Sequence, residues 1–367
     1  MIPINKPQTD EAEVQAVLDV MRSGPLTNAL GAGPKVLEFE KAFAEFTGTK
    51  HAVAVNTGTA ALHSAVMAVG VKRDDEVILP SFTFVATAEA VALSGGRPVF
   101  VDIDPKTYNL SPEAVEKAIT TKTKAILPVD LYGFSADMKP LREIADKHSL
   151  GLVEDAAQAH GATYAGKPAG SFADAACWSL YASKNMMAGE GGVITTNSDK
   201  IDETLRMIRT HGEKTKYASE MLGNNYRMLE LQAAIANVQM TKLPSFVAKR
   251  RRNAEQLTKI LQGNSKLVLP YETSDCQHSW YLYTARLIES TEAQRNKLLD
   301  DLKAKDIGAE AYYINPVNTM PFYRDNYKTQ TLPETEKAAK QVFSLPIHPG
   351  VNEEEIKFIG KTTQSLL

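Results

Sequence analysis

Lys184 is preceded by Trp178-Ser179-Leu180-Tyr181-Ala182-Ser183 and followed by Asn185, then by Gly189-Glu190-Gly191-Gly192-Val193. Upstream, the apolar run Leu150-Gly151-Leu152-Val153 ends in Glu154-Asp155-Ala156-Ala157-Gln158. Further upstream stands Asn56-Thr57-Gly58-Thr59-Ala60. A lysine amine can form a Schiff base with an aldehyde. A carboxylate at a strand end can hold a proton on a ring nitrogen. A glycine-hydroxyl turn opening a helix can take a phosphate, because glycine lets the backbone close in and the helix N-terminus favours negative charge. Together these are the parts that hold pyridoxal 5'-phosphate (PLP).

Each part alone has a plainer reading. Thr57 is an ordinary helix N-cap residue. Asp155 could cap a helix or bind a metal. A lone lysine is usually exposed and inert. The three in this order carry more weight than any one of them. The segment 173–183 before Lys184 has Asp174 as its one charged residue.

The elements that must position these residues alternate. Helical spacing runs over Asp10 to Ser23 and Val36 to Phe46. Short β-branched runs follow at His51–Val55, Glu76–Leu79, Pro98–Val101, Ala125–Val129 and Gly151–Val153. Helical stretches separate them at Ala60–Val69, Ala86–Leu93, Pro112–Ile119 and Met138–His148. The pattern predicts an α/β fold with a mainly parallel sheet, which binds ligands at the carboxyl ends of its strands. Asn56, Ser81, Asp102, Asp130 and Asp155 fall at those ends. A long helix is expected from about 228 to 261, interrupted at Pro244. It connects a large domain, 1–245, to a second one, 246–367, with strand signals at Trp280–Leu287 and Ala309–Tyr313.

Composition narrows the class. The chain has 367 residues, 43% hydrophobic and 23% charged, as in ordinary soluble globular proteins. A net charge of -3 argues against nucleic-acid binding by bulk electrostatics. The basic run Lys249-Arg250-Arg251-Arg252 reads as a solvated helix face. Cys177 and Cys276 are too few and too far apart for a disulfide framework or a metal knuckle. The seven histidines form no HExxH pair, so no metal is expected. Gly161-Ala162-Thr163-Tyr164-Ala165-Gly166-Lys167 resembles a P-loop, but Pro168 removes the Mg²⁺-binding hydroxyl, and the stretch reads as strand-turn-strand. No run is long enough for a membrane span, the N-terminus lacks a signal-peptide core, and a cytoplasmic location is expected. No Gly-x-Gly-x-x-Gly follows the first strand, which argues against a nucleotide-binding oxidoreductase.

At these residues the sequence resembles the DegT/DnrJ/EryC1/StrS family, the PLP-dependent aminotransferases of nucleotide-sugar biosynthesis. The resemblance runs from Gly24-Pro25-Leu26 to Ser344-Leu345-Pro346-Ile347-His348-Pro349. It rests on the three motifs above, on Pro80-Ser81-Phe82-Thr83-Phe84-Val85-Ala86-Thr87 and on Asn225-Tyr226-Arg227-Met228. It implies the type I PLP aminotransferase fold, a large domain plus a smaller C-terminal α/β domain, and a homodimer with shared active sites. The implied roles follow position by position. Lys184 carries PLP, Asp155 pairs with the pyridine nitrogen and Phe84 stacks on the ring. Gln158 lies near the ring and its 3'-oxygen. Gly58, Thr59 and Ser179 take the phosphate, and Asn225 reaches the phosphate of the neighbouring subunit.

The resemblance also implies L-glutamate as amino donor, a keto group on a nucleotide-linked sugar as acceptor, and a place in polysaccharide biosynthesis. The chain departs from the family where His-Tyr-Pro-x-Pro-x-His is common. Tyr312-Tyr313-Ile314-Asn315-Pro316-Val317-Asn318 stands there, and Tyr281 replaces another family histidine. Tyr312, Tyr313 and Asn318 are therefore the expected substrate-side residues. Glu190 in Gly189-Glu190-Gly191-Gly192 resembles the branch aminating sugar C4 rather than C3. The alternatives on the same fold are a PLP-dependent sugar dehydratase and a non-catalytic regulator. Either could lack the lysine, which this chain retains.

Overall fold

The apolar runs of the first half become strands because both faces of each are covered. The computed structural model describes all 367 residues. Helices α1 (Glu11–Ser23) and α2 (Pro34–Thr47) come first. Strands and helices then alternate: β1 (His51–Val55), α3 (Gly58–Ala68), β2 (Glu76–Pro80), α4 (Ala86–Leu93), β3 (Arg97–Val101), α5 (Pro112–Ala118), β4 (Thr123–Ile126), α6 (Met138–His148) and β5 (Gly151–Asp155). The P-loop look-alike folds as the small hairpin β6 (Thr163–Tyr164) and β7 (Lys167–Pro168). Strands β8 (Ala175–Ser179) and β9 (Gly192–Thr196) follow, then α7 (Asp199–Arg209) and a ribbon of β10 (Glu213–Thr215) and β11 (Ala218–Ser219).

The central sheet has seven strands in the order β1-β9-β8-β5-β4-β2-β3. Strand β9 is antiparallel to both neighbours, and the other pairs are parallel. Alternation along each strand splits the core in two. Val53, Val55, Val77, Leu79 and Val153 pack with α3 and α4. Ala52, Ala54, Ala176 and Trp178 pack with α2 and the long helix α8 (Glu230–Leu261). Ile78, Ile126 and Leu152 pack with α5 and α6.

Helix α8 runs unbroken through Pro244, where an interruption was expected. Leu243 and Phe246 on either side of the proline are both buried, so packing holds the two halves in one line. The expected domain divide at 245/246 therefore falls inside a helix. The second core begins at Ala254 and joins the end of α8 to β12 (Leu267–Val268), β13 (Cys276–Gln277) being outside it, and to β14 (Tyr283–Leu287), α9 (Glu292–Lys303) and the C-terminal elements. After α9 come α10 (Pro321–Asn326), α11 (Pro333–Gln341), β15 (Val342–Leu345) and α12 (Glu353–Leu366). Strands β12, β14 and β15 form an antiparallel sheet.

Two segments cross over. Ile2 pairs with Ile307 and packs against the second core, while Val317, Tyr323 and Leu332 pack into the first. The strand expected over Ala309–Tyr313 is reduced to one bridge, Glu310 to Ser344. The chain leaves β15 at that point and turns back towards the large core, so the β-rich composition of Tyr312-Tyr313 serves packing instead of a ladder.

Candidate active site

Strands β1, β5 and β8 deliver the three parts to one edge of the sheet. Beyond β8, the chain turns and returns as β9. Leu180 N–H donates to Gly191 O at 2.9 Å, Ala182 N–H to Gly189 O at 3.0 Å and Lys184 N–H to Tyr181 O at 2.9 Å. This tight loop holds Lys184 at its tip. Asn185 pins the loop from behind, its Nδ2 donating to Ser279 O at 2.9 Å and His160 O at 3.3 Å. Asn5 Nδ2 donates to Ser183 O. The Lys184 Nζ lies 4.7 Å from the centre of the Tyr281 ring, and the Tyr281 hydroxyl is 3.0 Å from Ser183 Oγ.

The phosphate-type turn meets the same edge. Thr57 caps α3 by accepting from Ala60 N–H at 3.0 Å. A Cβ on Gly58 would stand 2.9 Å from the Ser179 Cβ, and one on Gly192 only 2.3 Å from Thr57 O. Both glycines are needed because α3 starts directly on β8 and β9. Gly58, Thr59 and Ser179 are thus brought together at a helix N-terminus, a placement suited to an anion.

Asp155 is buried at the end of β5. Its Oδ2 accepts from Thr87 Oγ1 at 2.8 Å and its Oδ1 from Ala157 N–H at 3.2 Å. Burial raises its pKa above the usual carboxylate value, against these bonds and the pull of Lys184. A cationic ring nitrogen placed against it would restore ionisation. The cradle of Gly58 and Ser179, the buried acid and the lysine amine fit PLP. Thr87 was not singled out in the sequence. It lies on α4 three residues after Phe84, and only the fold shows that this turn faces β5.

The remaining expected residues are placed as follows. Phe84 is 56% exposed and its ring centre is 6.2 Å from that of Tyr313. Gln158 is buried, its Oε1 accepting from Tyr132 N–H at 2.7 Å and its Nε2 donating to the Tyr313 hydroxyl at 3.1 Å. Burial raises the Tyr313 hydroxyl pKa, as it does that of Tyr312, pushed up to about 12. Asn318 is buried and occupied. Its Oδ1 accepts from Ser81 Oγ at 2.6 Å and its Nδ2 donates to Gln330 O at 3.1 Å, which ties the 316–320 turn to the end of β2. It is the one substrate-side expectation that the fold instead uses as a brace. Asn225 is exposed, and its backbone carbonyl accepts from Asn56 Nδ2 of the same chain at 3.4 Å. His160, near the lysine loop, is pushed down to about 3, chiefly by burial, and is neutral.

The basic run is a solvated face only in part: Lys249 and Arg252 are exposed, the two arginines between them are not. Arg250 is 3% exposed, and Arg251 pairs with Glu272 at 3.2 Å. Helical spacing turns Arg250 inward with Phe246, Asn253 and Leu257.

Behind Asp155, Asp130 and Glu154 are fully buried side by side. Asp130 Oδ1 accepts from Ala136 N–H at 2.8 Å and Glu154 Oε1 from Gly170 N–H at 2.7 Å. Their other oxygens have no donor but each other. Desolvation, then the neighbouring Glu154 charge, holds Asp130 well above the usual carboxylate range, so it keeps the shared proton. The unfolded chain releases that proton above about pH 4. Stability should therefore fall as pH rises beyond that point, by at most about 1.4 kcal/mol per pH unit from this proton. Glu154→Gln supplies an amide N–H to Asp130 instead and should flatten the dependence. Urea unfolding of both proteins across neutral pH measures it, and equal slopes would contradict the shared proton.

Comparisons with known proteins give the family and the fold. The model of the DegT/DnrJ/EryC1/StrS aminotransferase family matches residues 7–364. A pleiotropic regulatory protein of Geobacillus stearothermophilus is 42% identical over 352 residues, covering 95% of this chain and 92% of that protein. GDP-perosamine synthase of Caulobacter vibrioides is 39% identical over 360 residues, covering 97% and 95%. The solved structure of the Helicobacter pylori aminotransferase PseC, involved in the biosynthesis of pseudoaminic acid, superposes with a TM-score of 0.93 at 30% identity, covering 100% of this chain and 98% of that one.

Proposed function

The chain belongs to the DegT/DnrJ/EryC1/StrS aminotransferase family, with PLP as cofactor, and from that premise we propose that it moves an amino group from L-glutamate to a keto carbon of a nucleotide-linked sugar, C4 in preference to C3. The enzyme is a PLP-dependent sugar aminotransferase. The observation that carries the reading is the convergence of Lys184, Asp155 and the Gly58–Ser179 cradle at the ends of β8, β5 and β1.

Bound PLP supplies an electron sink for cleavage at the donor Cα and carries nitrogen between the two half-reactions. Lys184 Nζ holds the cofactor and, once released, takes the proton from the donor Cα. In the second half-reaction it returns a proton to the sugar carbon. Asp155 holds the proton on the ring nitrogen, and Thr87 orients it. Gly58, Thr59 and Ser179 donate to the phosphate. Phe84 offers its exposed face to the ring. Gln158, held by Tyr132, fixes the Tyr313 hydroxyl. Tyr312 and Tyr313 stand on the sugar side in this reading; Asn318 is left to its structural bonds.

The preference for C4 rests on Glu190. Incubation with glutamate and UDP-, GDP- and dTDP-linked keto sugars, followed by NMR of the product, tests it. Amination at C3 alone would overturn the preference, and no amination of any sugar would overturn the function. The regulatory reading is favoured by the 42% identical relative of that name. It does not require both Lys184 and Asp155, and the same incubation decides between the two.

Sharing of sites in a homodimer is part of the proposal. Asn225 is exposed beside exposed Leu222 and Leu229, and is assigned to the partner's phosphate. A twofold axis makes such a contact reciprocal. Mixing Lys184→Ala with an Asn225 variant defective in PLP binding should restore activity. Both lesions fall on one site of a mixed dimer, leaving about half the activity per mixed dimer. No recovery after verified subunit exchange would refute the sharing.

A further inference from the structure

Three arginines of this chain are deeply buried, Arg209, Arg250 and Arg295. Arg209 meets Glu40 at 2.5 Å, and Arg295 has Glu292 at 3.8 Å besides two backbone carbonyls. Arg250 has no carboxylate within ion-pairing distance. Its Nη1 donates to Trp280 O at 3.3 Å and Tyr281 O at 3.0 Å. Its Nη2 makes one long contact, 3.4 Å, to Asn5 Oδ1, and its Nε has no partner. A guanidinium taken out of water is costly unless its donors are met. Burial pulls its pKa down to about 10, which leaves it charged at neutral pH.

The unmet Nε–Nη2 edge is the fork that grips a carboxylate with two parallel hydrogen bonds. The arginine shares a cavity with the lysine. Arg250, Lys184 and Lys6 line one small cavity with Asn185, Gln8 and Gln239, and no acid is among its lining residues. Residue 281 joins the two groups, its carbonyl held by Arg250 and its ring beneath the Lys184 amine.

We infer that Arg250 is the anchor for the α-carboxylate of the amino donor. The inference rests on the aminotransferase reading above and names a contact that reading leaves open. The donor Cα gives its proton to Lys184 Nζ, and the α-carboxyl carbon is bonded to that Cα. The carboxylate must therefore lie close to Nζ, and the buried, incompletely paired fork belongs to a cavity that Lys184 also lines. Asn5 Oδ1 occupies the fork's Nη2 end as a neutral oxygen that the carboxylate can replace. Lys6 adds charge from the same N-terminal segment.

The test uses the PLP-loaded enzyme, with Arg250→Lys as the first variant. Lysine keeps the charge and can still bond the 280 and 281 carbonyls, but it loses the fork. The apparent Kd for glutamate in the single-turnover half-reaction should rise at least about tenfold. Calorimetric binding of 2-oxoglutarate should weaken in parallel. The reaction of the amine-loaded enzyme with the sugar nucleotide should stay within about twofold. Turnover of 4-aminobutyrate, which lacks an α-carboxylate, should change little, so the preference for glutamate over it shrinks. Equal loss with both amines, or equal loss in both half-reactions, would assign Arg250 a structural role and overturn the inference.

If Arg250→Lys does not fold, Asn5→Asp serves, because it sets a carboxylate of the chain itself on the fork. The donor Kd should then rise by a similar factor, and an unchanged Kd would overturn the inference. Every α-amino acid carries this carboxylate, so the measurement runs with whichever amino acid the wild type accepts. Failure with glutamate alone corrects the donor; acceptance only of amines without an α-carboxylate overturns the Arg250 assignment while leaving amino transfer intact.

Discussion

Lys184→Ala is expected to abolish turnover, with kcat reduced by at least about 10³-fold, because one amine both holds the cofactor and moves the proton. Neither neighbouring ring can take over. His160 is neutral and both its ring nitrogens are buried away from donors and acceptors. The Tyr281 hydroxyl is directed to Ser183. The fold should survive the change, since the loop is held by the backbone bonds of 180–191 and by the Asn185 amide. The variant should therefore retain cofactor without a covalent bond. Borohydride reduction of the wild type and peptide mapping check the assignment. A label on Lys167 or Lys214 in place of Lys184 would overturn it.

Asp155→Asn is expected to slow proton removal from glutamate by about 10²- to 10³-fold while weakening PLP binding much less. The charge at position 155 is what keeps a proton on the ring nitrogen. The cofactor is also held by the lysine and the phosphate cradle, which the substitution leaves alone. An asparagine can still accept from Thr87 Oγ1 through its one oxygen, and loses only the longer bond from Ala157 N–H. Stopped-flow single turnover with glutamate reads the step. A wild-type rate in the variant would show that Asp155 does not pair with the ring.

Much of the frame behind these expectations is legible in the sequence, for a physical reason. Strands buried on both faces must be apolar throughout, so His51–Val55 and Gly151–Val153 stand out, and a polar residue at their ends marks the ligand edge. Helices α4 and α6 have the predicted bounds, because hydrophobic spacing and a proline or glycine boundary agree there. What is hidden depends on contacts distant in sequence. Pro244 does not break α8, since both cores grip the helix on either side. Arg250 looks like one of four solvated cations until the helix is rotated against the 280 loop. Thr87 acquires its partner, 68 positions away, only when α4 docks on β5. The Ala309–Tyr313 run has strand composition but meets the site after a single bridge. The histidine-to-tyrosine replacements mark a difference at 281 and 312 without telling what sugar these rings face.

The most direct measurement is the fate of nitrogen. Holoenzyme is incubated with ¹⁵N-glutamate and a panel of nucleotide-linked keto sugars, and both products are followed by mass spectrometry. The expected result is one sugar nucleotide carrying ¹⁵N at the former keto carbon, formed in step with 2-oxoglutarate and abolished in Lys184→Ala. Loss of ¹⁵N from glutamate with no label in any sugar, or label transfer undiminished in Lys184→Ala, would contradict amino transfer through this lysine.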